Sequence, residues 1–349
     1  MKFDRQAYFD IISGKRTDAF ARLTRIFLAT LELPYGLVVR FRNFMYDKGL
    51  RKIKELDVPI VSVGNLTVGG TGKTPFVAWL AQKYLDEGKF PAIISRGYHA
   101  DETGWNDEAK ELKMLLPDVP QAFSKDRFEA AQRLLAEYTG ENGTSKIDLI
   151  ILDDGYQHRK LFRKKNILMV DATNPFGYFR IIPRGLLREP MAEMKRADMV
   201  VLSRADAVDD AKKSRLRSFV SHFAPDAAWG EMRQLPKNLL FLSGKLQDIG
   251  VLTGKPVLAF CGLGNPDAFF RTVHDCGAEV RKTFAFPDHH RYTSVDQTRI
   301  FDVARELGVQ MIVCSLKDYV KINKDQAGEC DLCAIVVSTC VHYDSKFLE

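Results

Sequence analysis

No cysteine occurs in the first 260 residues of the chain. The six that exist, Cys261, Cys276, Cys314, Cys330, Cys333 and Cys340, follow without any even spacing. Asp4, Arg5 and Asp10 interrupt the apolar start that a secretory leader would need, so a reducing cytoplasm is expected. Cys330-x-x-Cys333 is a lone pair, and a structural zinc site needs four ligands, so neither zinc nor redox use is expected. Long uncharged apolar runs are also missing. Between Arg25 and Arg40 lie 14 residues that include Glu32 and Pro34, short of the roughly 20 that a membrane-spanning helix requires. Histidine is scarce, with seven in 349 residues. Gly262-x-Gly264 lacks the third glycine of a dinucleotide fingerprint.

What is present is an ordinary globular composition, 46% hydrophobic and 28% charged, in a chain long enough for two domains. Its charge is uneven. Residues 1–54 hold twelve Lys/Arg and five Asp/Glu, a net +7 against +6 for the whole chain. The basic residues there are interleaved with Phe20, Leu23, Ile26, Phe27, Leu31, Leu37, Val38, Phe41 and Phe44, in a pattern of two helices, Ala19 to Leu33 and Tyr35 to Leu56, divided at Pro34. This suits an anionic membrane surface, with apolar faces among acyl chains and cations toward headgroups. Packing on a domain core is the competing reading. The interleaving disfavours nucleic acid.

The chemistry-bearing stretch is VPIVSVGNLTVGGTGKT, residues 58–74. A short apolar strand runs into a Gly-rich loop, and a helix with apolar Phe76, Val77, Leu80, Ala81, Tyr84 and Leu85 follows. Strand, loop, Lys-Thr and helix make a phosphate cradle formed by Thr67, Val68, Gly69, Gly70, Thr71, Gly72, Lys73 and Thr74. Lys73 is expected on the β/γ-phosphates and Thr74 on Mg²⁺; Thr67 stands where the usual pattern begins with Gly.

Further apolar strands are expected at Phe90 to Ser95, Val119 to Ser124, Ile147 to Asp154, Asn166 to Val170 and Asp198 to Leu202. Residues 100–116 are polar and loop-like, and Asp126 is expected to cap a helix. The fold expected is α/β: a P-loop NTPase-like, mostly parallel sheet with helices on both faces, plus a smaller α/β C-terminal domain joined by a hairpin-like linker. Boundaries are placed at 1–56 for the basic helices, 57–225 for the core, 226–250 for the linker with a Pro-Lys-Asn turn, and 251–349 for the second domain. Ligands of such sheets sit at strand C-terminal ends. There lie the P-loop, Arg96, Asp153, Asp154 and Asp171, with Arg180, Arg184, Arg188 and Glu189 in the loop 171–197. Guanidinium groups there suit phosphate recognition. The pair Asp153-Asp154 alternates on its strand, one side chain for metal and the other for a second task.

VGNLTVGGTGKTP (63–75), SRGY (95–98), Asp107-Glu108, ILDDGYQH (151–158), IPRGLLREP (182–190), SRAD (203–206), FCGLGNP (260–266) and FPDHHRY (286–292) occur together and in order. In this the chain resembles the tetraacyldisaccharide 4′-kinase family. The resemblance implies ATP-dependent phosphorylation of the 4′-hydroxyl of tetraacyldisaccharide 1-phosphate, forming lipid IVA in lipid A biosynthesis. It implies ATP and Mg²⁺ as cofactors, with Lys73 and Thr74 on ATP-Mg²⁺. It gives Asp107 and His289 as a catalytic pair, with Asp101 the competing position for the carboxylate. Asp153 and Asp154 serve metal and catalysis; His158 and Glu189 are further site positions, and Arg96, Arg127 and Arg188 phosphate contacts. Asp107 and His289 are expected to come from different domains. The implied partners are the lipid A disaccharide precursor and an anionic membrane, with no obligate protein partner, and the implied location is the cytoplasmic face of the bacterial inner membrane, held peripherally. Two rival readings are a P-loop GTPase or metal-insertion chaperone, weakened by Ser203-Arg204 where a guanine reader has Asn/Thr-Lys, and a membrane-bound scaffold.

Overall fold

The structure is a computed structural model that describes residues 5–96, 107–141, 143–288, 290–323 and 330–344. In chain order, helices α1 (Arg5–Ser13) and α2 (Ala19–Asp47) precede β1 (Ile60–Gly64), α3 (Lys73–Asp86), β2 (Pro91–Ser95), α4 (Asp107–Leu115), β3 (Gln121–Phe123) and α5 (Arg127–Glu137). Then come β4 (Leu149–Asp153), β5 (Lys165–Asp171), β6 (Met199–Ser203), α6 (Asp210–Phe223), β7 (Ala228–Phe241) and β8 (Leu246–Asp248). The chain ends through β9 (Pro256–Cys261), α7 (Pro266–Asp275), β10 (Glu279–Ala285), α8 (Ser294–Glu306), β11 (Met311–Ser315), α9 (Leu316–Tyr319) and β12 (Asp331–Tyr343).

The chain divides into two compact units. The first comprises, among the described residues, those up to 96, 116–233 and 341–344. Its strands run in the order β7-β6-β5-β1-β4-β2-β3, each pair parallel. β1 is central and wholly buried, with Val63 in register with Asp153 on one side and Ile167 on the other. Continuous apolar strands are what a parallel sheet covered by helices demands. Ala130, Ala131 and Leu134 of α5 pack on Ile94, Ile150 and Leu152, while Leu216 and Val220 of α6 pack on Leu168, Val200 and Leu202. In α3, Phe76, Val77, Leu80, Ala81 and Tyr84 are buried as helical spacing predicts, Thr74 is buried with them, and Leu85 is only half-buried. Each large apolar side chain so buried contributes about 1.5–3 kcal/mol. Asp126 caps α5 by accepting from the N–H groups of Phe128 and Glu129 at 3.1 and 3.2 Å.

The second unit holds α4 and residues 234–340. Its strands β10, β9, β11 and β12 are parallel neighbours in that order, and β8 pairs antiparallel with β7. Phe260, Ile300, Phe301, Ile312 and Leu332 form one of its cores, and Val257, Phe269, Val273, Val313 and Ile335 another. The Cys333 thiol is buried and pushed up to about 12 by that burial.

Four expectations need correction. Pro34 does not divide the N-terminal helices: α2 is continuous from Ala19 to Asp47. A proline inside a helix removes one N–H donor, and here tertiary bonds on either side hold the segment in line. Glu32 Oε1 accepts from the Ile181 N–H at 2.9 Å, and the Tyr35 hydroxyl donates to the Arg188 carbonyl at 3.1 Å. The Pro-Lys-Asn sequence makes no turn. Pro236 lies within β7, between the residues paired with β6 and those paired with β8, so its missing N–H is required by neither of those two ladders. The hairpin turns instead at Gly244, where φ is 80. Residues 107–115 are helix rather than loop, and this helix belongs to the second unit rather than the core. Asp107 is therefore not a residue of the first domain. Asp101 and His289 lie outside the described residues.

Candidate active site

β1 and β4 end side by side, and the two turns beyond them touch. A Cβ on Gly64 would lie 2.7 Å from Tyr156 Cβ, and one on Gly155 would lie 2.5 Å from Ser62 Oγ. Only glycine permits this approach, which brings the Asp153-Asp154-Gly155-Tyr156 turn onto the start of the P-loop. Gly155 N–H donates to the Val63 carbonyl at 2.9 Å, and the Gln157 side-chain amide donates to the Asn65 carbonyl at 2.9 Å. On its other flank the P-loop is stitched to the arginine-rich loop. Val68 N–H donates to Leu186 O at 2.7 Å, Arg188 N–H donates to Leu66 O at 2.6 Å, and Thr67 and Leu187 form an antiparallel bridge. Thr67 has no positive φ, which is why a β-branched residue serves where the usual pattern has glycine.

Asp154 is the electrostatic centre. β4 ends at Asp153, and Asp154 takes a left-handed backbone with φ 50. The two carboxylates are thus separated by a turn rather than by strand alternation alone. Arg188 Nη1 lies 3.1 and 3.0 Å from the two Asp154 oxygens, and Lys73 Nζ lies 3.5 Å from Oδ1. Burial alone would raise the carboxyl, but Lys73 and Arg188 outweigh it and hold it at about 2. Lys73 is also oriented by Asn65 Oδ1 at 3.2 Å, and Asn65 in turn donates to Thr67 O at 2.7 Å. Thr74 and Asp153 are both buried.

The remaining expected residues separate into two groups. Arg96 follows β2 and is exposed. Arg127, expected on phosphate, is buried, and its Nη2 donates to the carbonyls of both Asp153 and Asp154 at 3.1 Å. It clamps the turn that carries the acidic pair. His158 is half-buried, and burial together with the Arg127 charge lowers it to about 4, so it is neutral near pH 7. Glu189, expected to meet substrate, is wholly buried, with one oxygen on Arg42 and the other on Arg196. Both its oxygens are taken, and it ties α2 to the loop that holds Arg188. Asn65 and Gln157 were not singled out from sequence, although each lies inside a quoted motif. A polar side chain next to the Lys-Thr or Asp-Asp element was the available signal.

A parallel sheet whose central strand opens into a Gly-rich loop, Lys-Thr and helix, with an acidic pair at the end of the neighbouring strand, defines a P-loop NTPase-like phosphate-binding protein. The sequence model of one family within that class, tetraacyldisaccharide-1-P 4'-kinase (LpxK), matches residues 24–349. The chain belongs to this family. It is 34% identical over 332 residues to tetraacyldisaccharide 4'-kinase of Halothermothrix orenii, covering 87% of this chain and 84% of that one. To the protein of the same name from Geobacter metallireducens it is 36% identical over 321 residues, covering 86% and 90%. Among solved structures, the LpxK of Aquifex aeolicus in complex with ATP superposes with a TM-score of 0.73 at 30% identity, covering 93% of this chain and 96% of that one.

Proposed function

We propose that this protein transfers the γ-phosphoryl group of ATP to the 4′-hydroxyl of a tetraacyldisaccharide 1-phosphate, at the surface of an anionic membrane. The observation that carries this reading is Lys73 and Arg188 converging on Asp154 at the mouth of the P-loop, in a chain of this kinase family. Phosphoryl transfer needs positioning and charge neutralisation more than covalent help from the protein. Lys73 and the loop N–H groups from Thr67 to Thr74 hold the phosphates. Arg188 and Arg96 neutralise charge on the transferred group or on the 1-phosphate of the acceptor. The donor set at the base of the loop fits a hard cation: a buried hydroxyl on Thr74 and a buried carboxylate on Asp153. Thr74 and Asp153 would hold Mg²⁺, which when bound offsets charge on the β- and γ-phosphates.

The acceptor oxygen attacks phosphorus, the bond to the ADP oxygen breaks, and the hydroxyl proton passes to the Asp107–His289 pair. Asp154 supplies a fixed negative charge that orients Lys73. The N-terminal residues bring the enzyme to the lipid: Phe20, Leu23, Ile26, Phe27, Leu33, Leu37, Val38 and Phe41 of α2 are each more than 60% exposed. No helix among the described residues is long and apolar enough to cross a membrane, so this reading has α2 lying in the interface.

The test is label transfer from γ-labelled ATP to tetraacyldisaccharide 1-phosphate. Labelled lipid that disappears in Lys73→Ala supports the proposal; ATP hydrolysis with no labelled lipid overturns it. His289→Ala is expected to lower kcat by about 100-fold or more with the ATP Kd unchanged. Full turnover in that variant would remove His289 from the mechanism.

A further inference from the structure

Arg204, directly after β6, adopts a left-handed backbone with φ 52, a conformation that disfavours any residue with a Cβ. The turn aims its guanidinium between two loops. Nη1 donates to the carboxylate of Asp171 at the end of β5, and Nη2 donates to the carbonyl of Gly70 at 3.0 Å. Gly70 lies where the P-loop has least steric restraint. A Cβ at Gly69 or at Gly70 would meet nothing within 4 Å, and Gly69 has φ 119. Open space beside both glycines leaves ψ of Gly70 without the restraint a side chain would give, so on that side of the peptide its orientation is set by hydrogen bonding.

In a planar trans peptide the C=O and the N–H point in opposite directions. Holding the Gly70 carbonyl on Arg204 therefore fixes the direction of the Thr71 N–H away from Arg204. Thr71 itself is buried, and its Oγ1 has no hydrogen-bond partner among the described residues. A buried hydroxyl left unsatisfied in a Gly-rich loop is suited to an anion's oxygens. We propose that Arg204 is a positioning residue that locks the Gly70–Thr71 peptide with its N–H turned toward the phosphate chain of the nucleotide. The role suits arginine because a rigid fork reaches a carboxylate and a carbonyl together, which an ammonium does less well. The proposal rests on the reading of residues 67–74 as a phosphate cradle.

The test measures binding of ATP and of inorganic tripolyphosphate to the full chain by calorimetry. Arg204→Ala is expected to raise both Kd values roughly tenfold, with KM for ATP rising by the same factor and kcat changing less. Arg204→Lys should fall between the two. Asp171→Asn should weaken both ligands by less than Arg204→Ala, and combining the two changes should add little to Arg204→Ala alone. An unchanged tripolyphosphate Kd in Arg204→Ala overturns the proposal, and a rise for ATP only does so as well, since it would make Arg204 a contact of the nucleoside. Lys73→Ala separates the two levels. If it weakens tripolyphosphate while Arg204→Ala does not, only the role of Arg204 falls. If neither variant weakens it, the phosphate-cradle reading falls too.

Discussion

At Glu189 burial commits both carboxylate oxygens to ion pairs, and at His158 burial shifts the titration of the imidazole. His158 is lowered to about 4 by burial and by the neighbouring Arg127 guanidinium. Its unfolded value is about 6.5, so between pH 6.5 and 4 the unfolded chain binds a proton that the folded chain refuses. Stability is then complete above pH 6.5 and declines as pH falls toward 4. Urea unfolding of His158→Gln should therefore show a smaller loss between pH 7 and pH 5 than the native protein; an equal loss would mean that His158 titrates normally. Glu189, itself wholly buried, has both oxygens on guanidinium groups, those of Arg42 and Arg196. Removing one member of a buried ion network typically costs about 3–5 kcal/mol. Glu189→Ala should lower unfolding stability on that scale, whereas a substrate contact would raise KM and leave stability unaltered. Sequence placed His158, Arg188 and Glu189 in one neighbourhood, because each sits in a motif beside a strand end. It did not tell ligand contacts from their supports, since that depends on which side chains from α2 and residue 196 arrive at the same carboxylate.

Strands and helices were more legible where one period dominates. β1, β2, β4, β5 and β6 are continuous apolar runs, and their expected limits lie within two residues of those observed. The failures share a cause. Pro34 and Pro236 are local breakers that tertiary bonds overrule, and the 107–115 helix is polar enough to pass for loop. β12 was not anticipated, although Ala334 to Val337 is apolar; it lies between β11, the strand just before it, and the distant β7. In α2 both faces are decided by packing: Ala21, Gly36, Val39, Asn43 and Tyr46 are buried, and the large apolar residues stand out. Leaving that much apolar surface on one helix is costly unless something covers it. The combined change Phe27→Ser, Leu37→Ser and Phe41→Ser should leave the unfolding midpoint nearly unchanged, because the three side chains gain little from folding. Flotation with phosphatidylglycerol vesicles should show binding largely abolished. A large drop in stability instead would mean that this face packs on protein.

Across the whole molecule, charge and apolar surface are segregated along the chain. Residues 1–54 carry +7, and the overall +6 leaves −1 for residues 55–349. A nearly neutral body with one cationic, apolar segment has a preferred orientation toward an anionic surface, which a uniformly basic protein lacks. The proposed membrane role assigns two forces to the same 54 residues, and salt tells them apart. The Debye length shrinks from about 10 Å at 0.1 M to 3 Å at 1 M, and each basic residue near an anionic surface is worth about 1 kcal/mol before screening. Apolar insertion is not screened. Partitioning of the full chain onto phosphatidylglycerol vesicles should therefore fall about tenfold or more between 0.1 and 0.5 M salt and level off at a residual value. That residual should match binding to neutral phosphatidylcholine vesicles and should vanish in the triple serine variant. Binding indifferent to both salt and lipid charge would show that the +7 segment does not face the bilayer, and the cations of α2 would then need another partner.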